Sequence, residues 1–524
     1  MARNDAFTRA AGPRSATDTI PGTVKNHDGG AVFEISLLAA ARRFLIIGTE
    51  GGTFYQGERE YTRENADIIF QLAAEKPLEL VELIADVSER GLAPKVNPQL
   101  FALAACTAEP GEARAAAYRE FGRIVRTGSH LLMWARYHKA LGGGVSRSWR
   151  RAVADWYLGR DADSLTYQLA KYGQRDGWSQ KDLIDMSHAL KGEVPGTHEK
   201  ALQWARGQHL MVSASVPTLI RALEEKRPAA ELIDAGASWE MLPDDVLRDP
   251  KTWELLIAKG RLPMGAMLRQ LSRMTQVGVF DSYFSNDAAR AVRRLFNDEE
   301  ALRRARLHPL AIMMALRSYG EGSRRSGGTF TPNMGIVEAL NAAFYKAFET
   351  APAAGKRTLV GVDVSPSMWS LTPVGLMNSE IAMVLAMKII VSEPASLAVG
   401  FASGVTEIGI HKLTTLENAM QIAREHGRRW NATEPSALIE YARAKQIPVD
   451  TFVMITDNEV NQGYHVPDVL RRYRRETGIP AKLAVLATTA TRFSIADPKD
   501  PGMLDIAGFG ADVPALLTEF SRGF

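Results

Sequence analysis

From residue 358 onward, short apolar runs alternate with amphipathic stretches, and this alternation constrains the fold more than any other feature of the chain. The runs fall at 358–363, 396–401, 451–456 and 482–487, and the helical patterns at 379–391, 416–426, 436–445 and 467–476. Strand-sized runs separated by crossover helices specify a parallel sheet with helices on both faces, a Rossmann-like α/β domain. Two runs end in acid. Thr358-Leu-Val-Gly-Val-Asp363 continues into Val-Ser365-Pro-Ser367, and Thr451-Phe-Val-Met-Ile-Thr456 into Asp457. Ligands of open α/β sheets lie outside the carboxyl ends of the strands, so carboxylates and hydroxyls gather at one sheet edge. That donor set suits a hard divalent cation, Mg²⁺ first among them. Plainer readings stand beside it: Ser365 and Ser367 as caps of the next helix, and Asp457 with Asn458 as a turn bonding its own backbone.

Upstream the pattern is helical from 33 to 349, with apolar residues three and four apart, as in Ala66-Ile69-Phe70-Ala73 and Leu80-Leu83-Ile84-Val87. Gly91–Pro94, Glu109-Pro110, Gly142-Gly-Gly144, Leu242-Pro243 and Leu262-Pro263 divide it into many short helices with no strand-like alternation. Antiparallel pairs stacked as an α-solenoid of HEAT-like repeats are expected. The first 30 residues, rich in Thr, Gly, Asn and Asp, read as an irregular arm, and Thr350–Gly355 reads as a linker. The expected division is an arm over 1–30, a helical-repeat domain over 31–350 and an α/β domain over 356–524, several cores being usual for 524 residues.

Hydrophobic residues at 46% and charged residues at 23% describe a folded, soluble chain. No apolar run is long enough for a bilayer, and no apolar signal core follows Met1, so a cytoplasmic location is expected. The single cysteine, Cys106, excludes an internal disulfide and reads as a buried thiol. The net charge of +3 is less informative than its distribution. Arginines cluster around 147–175, 303–325 and 471–475, where guanidinium forks suit phosphate or form solvated helix faces.

Polar recognition groups and aromatics are densest in Lys171-Tyr-Gly-Gln174-Arg175-Asp-Gly-Trp178-Ser179-Gln-Lys181-Asp182 and on to His188. Helical spacing would put Tyr167, Lys171 and Arg175 on one face. Gly177 would end that helix, Ser179 and Asp182 would cap the next, and His188 would lie about two turns into it. Upstream, Arg147, Arg150 and Arg151 surround Trp149. The cations and imidazole would face a phosphate backbone. Equally, Trp178 fits as core, His188 as a packed histidine, and Trp149 either as a stacking platform or as packing against Trp156.

Two resemblances sharpen this reading. Asp363, Ser365 and Ser367, with Thr433 in the polar loop 431–434 and Asp457, resemble the metal-ion-dependent adhesion site of von Willebrand factor A domains. The whole chain resembles a bacterial member of the Ro autoantigen family, whose helical RNA-binding module is called TROVE. The resemblance rests on Gly48–Tyr55, Lys171–His188, His308-Pro309, Ala342–Lys346, Thr456–Glu459, His465-Pro-Asp, Ile479–Lys482 and Ala496–Asp505. It implies a ring of helical repeats closed by the A-like domain within one chain. It further implies small noncoding Y RNA on the outer surface and misfolded or precursor RNA held by single-stranded 3′ ends. The partners it implies are 3′ exoribonucleases such as polynucleotide phosphorylase, in RNA decay, ribosomal RNA maturation and stress recovery. Family RNA-surface residues fall on Lys171, Arg175 and His188, with Gln174 beside them. No membrane partner and no RNA-cutting activity are expected, since only Glu459 lies near the oxygen cluster as a general base. Two other readings remain: a metal-dependent protein-binding adaptor on a helical scaffold, and a metal-dependent nuclease.

Overall fold

The computed structural model describes residues 13–26, 29–47, 66–93, 95–175, 177–210, 215–280, 286–305, 307–322, 329–347, 353–371, 376–411, 413–426, 432–489, 491, 493–507 and 513–522. The Gly48–Tyr55 motif, residues 350–352 of the expected linker, Asn431 and the first 12 residues lie outside them. In chain order the strands are β1 (Thr23–Lys25), β2 (Ala31–Glu34), β3 (Gln174–Arg175), β4 (Trp178–Ser179), β5 (Thr358–Asp363), β6 (Ser396–Phe401), β7 (Val405–Glu407), β8 (Thr451–Thr456), β9 (Lys482–Ala487), β10 (Phe493–Ser494) and β11 (Met503–Ala507).

The chain forms two compact units. One is helical and runs from Leu37 to 347. Several of its helices start where the sequence supplies an oxygen cap: Thr127, Ser146, Asp161 and Ser179 each accept a backbone N–H of the first turn. Large aromatics fill its core. Trp134 and Trp149 stack with centroids 6.0 Å apart, and the Trp134 indole donates to Thr107 Oγ1 at 3.1 Å. Truncating such a fully buried ring to alanine costs about 3–5 kcal/mol. Cys106 is buried, and burial pushes its thiol up to about 12, so it is inert packing.

The second unit is α/β. Its six-stranded sheet has the order β11-β9-β8-β5-β6-β7, parallel except where β7 returns antiparallel to β6. All residues of β5 and β8 are buried, as central strands covered on both faces require. Gly361 on β5 allows the helix Ser436–Ala444 to lie close, since a Cβ there would stand 2.5 Å from Leu438 Cδ2.

Residues 13–36 differ from the irregular arm read from the sequence and belong to the α/β unit. β2 pairs antiparallel with both β1 and β10, in a sheet of its own. Arg14 forms a two-point ion pair with Asp468 (2.7 and 2.8 Å), and Asn26 Nδ2 donates to the Val460 carbonyl at 3.0 Å. Ala16 and Val32 join the core built by β5, β8 and β9. Strand β2 also moves the start of the helical pattern from 31 to Leu37.

Candidate functional site

At the sheet edge, parallel register sets the ends of β5 and β8 side by side, with Val362 opposite Ile455. Asp363 is fully buried there. Its Oδ1 accepts from the Ser365 amide at 2.9 Å and its Oδ2 from the Thr456 hydroxyl at 2.7 Å. The Ser365 and Ser367 hydroxyls are 3.1 Å apart. Ser365 precedes a 3₁₀ turn, Pro366–Trp369, yet its side chain makes no cap bond, so capping does not account for this hydroxyl. The turn reading does hold for one oxygen of Asp457, whose Oδ1 accepts from the Glu459 amide at 3.1 Å. Asn458 follows at φ +67°, buried, with its Oδ1 taking the Ile495 amide at 3.3 Å.

Thr433 sits on the same edge, tied by its backbone. Its amide donates to Asn461 Oδ1 at 2.9 Å, and its carbonyl accepts from the amides of Asn461 and Gln462. The next residue, Glu434, donates to the Ala402 carbonyl just beyond β6. Burial first, and the nearby Asp457 charge second, push the Asp363 carboxyl up to about 7, against hydrogen bonds from Ser365 and Thr456. Among the described residues the hydrogen bonds to the Asp363 carboxyl come from Ser365 and Thr456, not from a basic side chain. Two buried carboxyls and a hydroxyl pair are therefore an all-oxygen donor set that a small hard cation fits. Among the described residues no three His, Cys, Asp or Glu side chains converge into a metal-binding group.

In the helical unit, the helix Ala162–Lys171 ends at Lys171, so Arg175 does not extend its face. Gln174 and Arg175 form β3, turn through Gly177 at φ +79° and pair with Ser179 and Trp178 of β4. Gln174 and Arg175 are exposed, and Arg175 Nη1 donates to Ser129 Oγ at 2.5 Å. Ser179 and Asp182 form the expected capping box of the helix Gln180–Ser187. His188 ends that helix, at its left-handed C-cap (φ +58°) and exposed, rather than lying within it.

Lys171 is turned inward: its side chain is 8% exposed, 3.2 Å from Glu240 Oε1 and 3.1 Å from Tyr167 Oη. Glu240 could not be linked to Lys171 from the sequence, where neither spacing nor motif connects the two. Arg147, Arg150 and Arg151 are exposed on the helix Arg147–Leu158, which packs against Gln180–Ser187. Trp149 and Trp156 on that helix are buried, which decides for packing over base stacking. Three arginines of the 471–475 cluster are held in ion pairs within the α/β unit, although none of them is fully buried: Arg471 pairs with Asp468, Arg472 with Glu440, and Arg474 with Asp500 at 2.7 Å.

Comparison with known proteins agrees with this division. Residues 24–232 and 231–326 match the TROVE domain, and residues 357–521 match the Ro60 vWA domain. The chain is 33% identical over 521 residues to the RNA-binding protein RO60 of Deinococcus radiodurans, covering 95% of each. It is 29% identical to the RNA-binding protein RO60 of Caenorhabditis elegans, covering 98% of this chain and 92% of that one. The crystal structure of the Deinococcus radiodurans RO (RSR) protein superposes with a TM-score of 0.68 at 32% identity, over 93% of this chain and 100% of the other. A helical unit matching TROVE, joined to an α/β unit with the oxygen-lined sheet edge of an A-like domain, places this chain in the Ro60 family.

Proposed function

We propose that this protein is an RNA-binding scaffold of RNA quality control, acting by binding rather than by cutting. The observation that carries the reading is the exposed basic surface of the helical unit. Arg147, Arg150 and Arg151 on one helix and Arg175, Gln174 and His188 around the next lie on adjoining elements. Arg151 lies 3.6 Å from Asp155 with both side chains largely exposed, a pair too solvated to neutralise the surface. Exposed arginines attract a phosphate backbone through counterion release and read no sequence. The relatives' description as RNA-binding proteins supports the same reading.

The finer assignment is small noncoding Y RNA on this surface, and misfolded or precursor RNA engaged through a single-stranded 3′ end. Such an RNA would be presented to a 3′ exoribonuclease such as polynucleotide phosphorylase in the cytoplasm. Lys171 contributes from beneath, by holding the end of its helix against Glu240. In the α/β unit, Asp363, Ser365, Ser367, Thr433 and Asp457 would hold a divalent cation, Mg²⁺ by donor chemistry. Bound, it would offset the charge of the two carboxylates and offer an open position to a carboxylate of a protein partner. We favour this adaptor role over hydrolysis, which would need a positioned general base or a second metal.

The test is binding of one structured RNA, with and without a single-stranded 3′ tail, over a salt series. The tailed RNA should bind more tightly, and replacing Arg147, Arg150 and Arg151 by glutamine should flatten the log–log salt slope by about 0.7 per lost contact on a single strand. Binding to neither RNA would remove the RNA reading. Mg²⁺-dependent cleavage that disappears in Asp363→Ala would favour the nuclease instead.

A further inference from the structure

Beside the arginine surface the helical unit opens a cavity of about 440 Å³ that phosphate binding does not use. It falls within the roughly 300–1,000 Å³ typical of small-molecule clefts. Its walls include Lys139, the backbone of Gly143 and Gly144, Trp178, Asp182 and Met186. The loop is fixed in place: Gly143 packs on the His138 ring so closely that a Cβ would stand 2.4 Å from it, and His138 Nε2 lies 3.3 Å from the Gly144 carbonyl. A Cβ at Gly144 would meet nothing within 4 Å, so the loop leaves room on the cavity side.

Trp178 is unlike the buried tryptophans of this unit. Trp134, Trp149 and Trp253 are fully enclosed, whereas Trp178 is only half-buried on a two-residue strand, with Lys139 Nζ 5.4 Å from its ring centre. Asp182 gives Oδ2 to the capping box, at 2.9 Å from the Ser179 amide and 2.6 Å from its hydroxyl, and Oδ1 has no bond among the described residues. A carboxylate on the wall repels a phosphate but accepts an N–H. An aromatic platform with an N–H acceptor is what a heterocyclic base needs. Arginines flank the cavity: Arg175 is the cross-strand partner of Trp178, and Arg147 begins the helix that follows the glycine loop.

We infer that this cavity receives one unpaired nucleobase of the bound RNA, stacked on Trp178, with the flanking phosphates on Arg147 and Arg175. The inference rests on the RNA-binding reading and adds to it a means of selecting unpaired nucleotides. A paired base keeps its N–H edge and both faces inside the duplex, so a blunt duplex leaves the cavity empty. One free acceptor oxygen imposes little preference among bases.

The experiment compares a labelled single-stranded RNA with a blunt duplex of the same length, using wild type, Trp178→Ala and Trp178→Phe. Loss of one stacked base should weaken single-strand binding by about 5- to 150-fold in Trp178→Ala, leave duplex binding unchanged, and be largely restored by phenylalanine. A second arm leaves the protein intact. Abasic sites are walked along the single strand, and at one position the loss should match that of Trp178→Ala and should not add to it. Equal weakening of strand and duplex, or no sensitive abasic position, overturns the inference while the arginine surface stands. Failure of wild type to bind either RNA removes both. Tight binding of free guanosine monophosphate that Trp178→Ala abolishes would overturn it in favour of a nucleotide site.

Discussion

Lys171 distinguishes a residue that holds the RNA surface from one that touches RNA. Its ammonium lies 3.2 Å from Glu240 Oε1, 3.1 Å from Tyr167 Oη and 5.3 Å from the ring centres of Tyr167 and Tyr172. Lys171→Met keeps most of the volume and removes the charge. Breaking a fully buried pair by deleting one partner costs about 3–5 kcal/mol. The Glu240 side chain is 25% exposed, so water reclaims part of that loss and about 2 kcal/mol is expected. Against a total stability of roughly 5–15 kcal/mol the effect is readily measured by urea denaturation. The double variant Lys171→Met/Glu240→Gln should recover about 1 kcal/mol or more, because no carboxylate is then left without its cation. RNA affinity of the folded variant should fall less than in Arg175→Ala, whose guanidinium is at the surface. A Lys171→Met protein with the wild-type midpoint, but an affinity loss equal to that of Arg175→Ala, would refute the internal role.

Three further outcomes follow from the α/β unit. Gly30→Ala places a Cβ 2.1 Å from the Val460 carbonyl oxygen, a backbone atom that cannot swing aside; a loss of about 1–3 kcal/mol is expected in denaturation of this unit. Mg²⁺ should raise its melting temperature, since saturation at about 100 times Kd contributes roughly 2.7 kcal/mol. Asp363→Asn should abolish that rise without destabilising the metal-free protein, because it removes one of two repelling carboxyls. Burial pushes the Asp468 carboxyl up, but bonds from the Arg14 side chain and amide and from Arg471 outweigh it and hold the group well below the usual carboxylate range. A depressed folded value contributes stability above the unfolded pKa of about 3.9 and loses it as pH falls further. Asp468→Asn should therefore flatten the acid limb of a pH-dependent melting series below about pH 4.

The sequence was most legible where structure is local. Strands β5, β6, β8 and β9 occupy the ranges their apolar runs predict, since a run buried on both faces needs no partner to be recognised. Ser365 and Ser367 meet because they lie two residues apart beyond a strand end. What escaped was non-local or too short for periodicity. β2 finds β10 more than 400 residues away, and β3 and β4 have two residues each. The expected face of Tyr167, Lys171 and Arg175 broke because the chain leaves the helix at Tyr172 and turns back at Gly177. The glycines at 142–144 read as punctuation, whereas the structure uses two of them as a cavity wall.

The place of residues 13–36 has a consequence for biosynthesis. Asn26 bonds to residues 432 and 434 positions further on. At roughly 5–20 residues per second, the ribosome delivers those partners about 20–90 s after Asn26 has been made. The intervening helical unit has time to fold first, as an insertion between two halves of its neighbour. Until β10 arrives, β2 presents an unpaired strand edge, the kind of surface that chaperones cover and that aggregates when they do not.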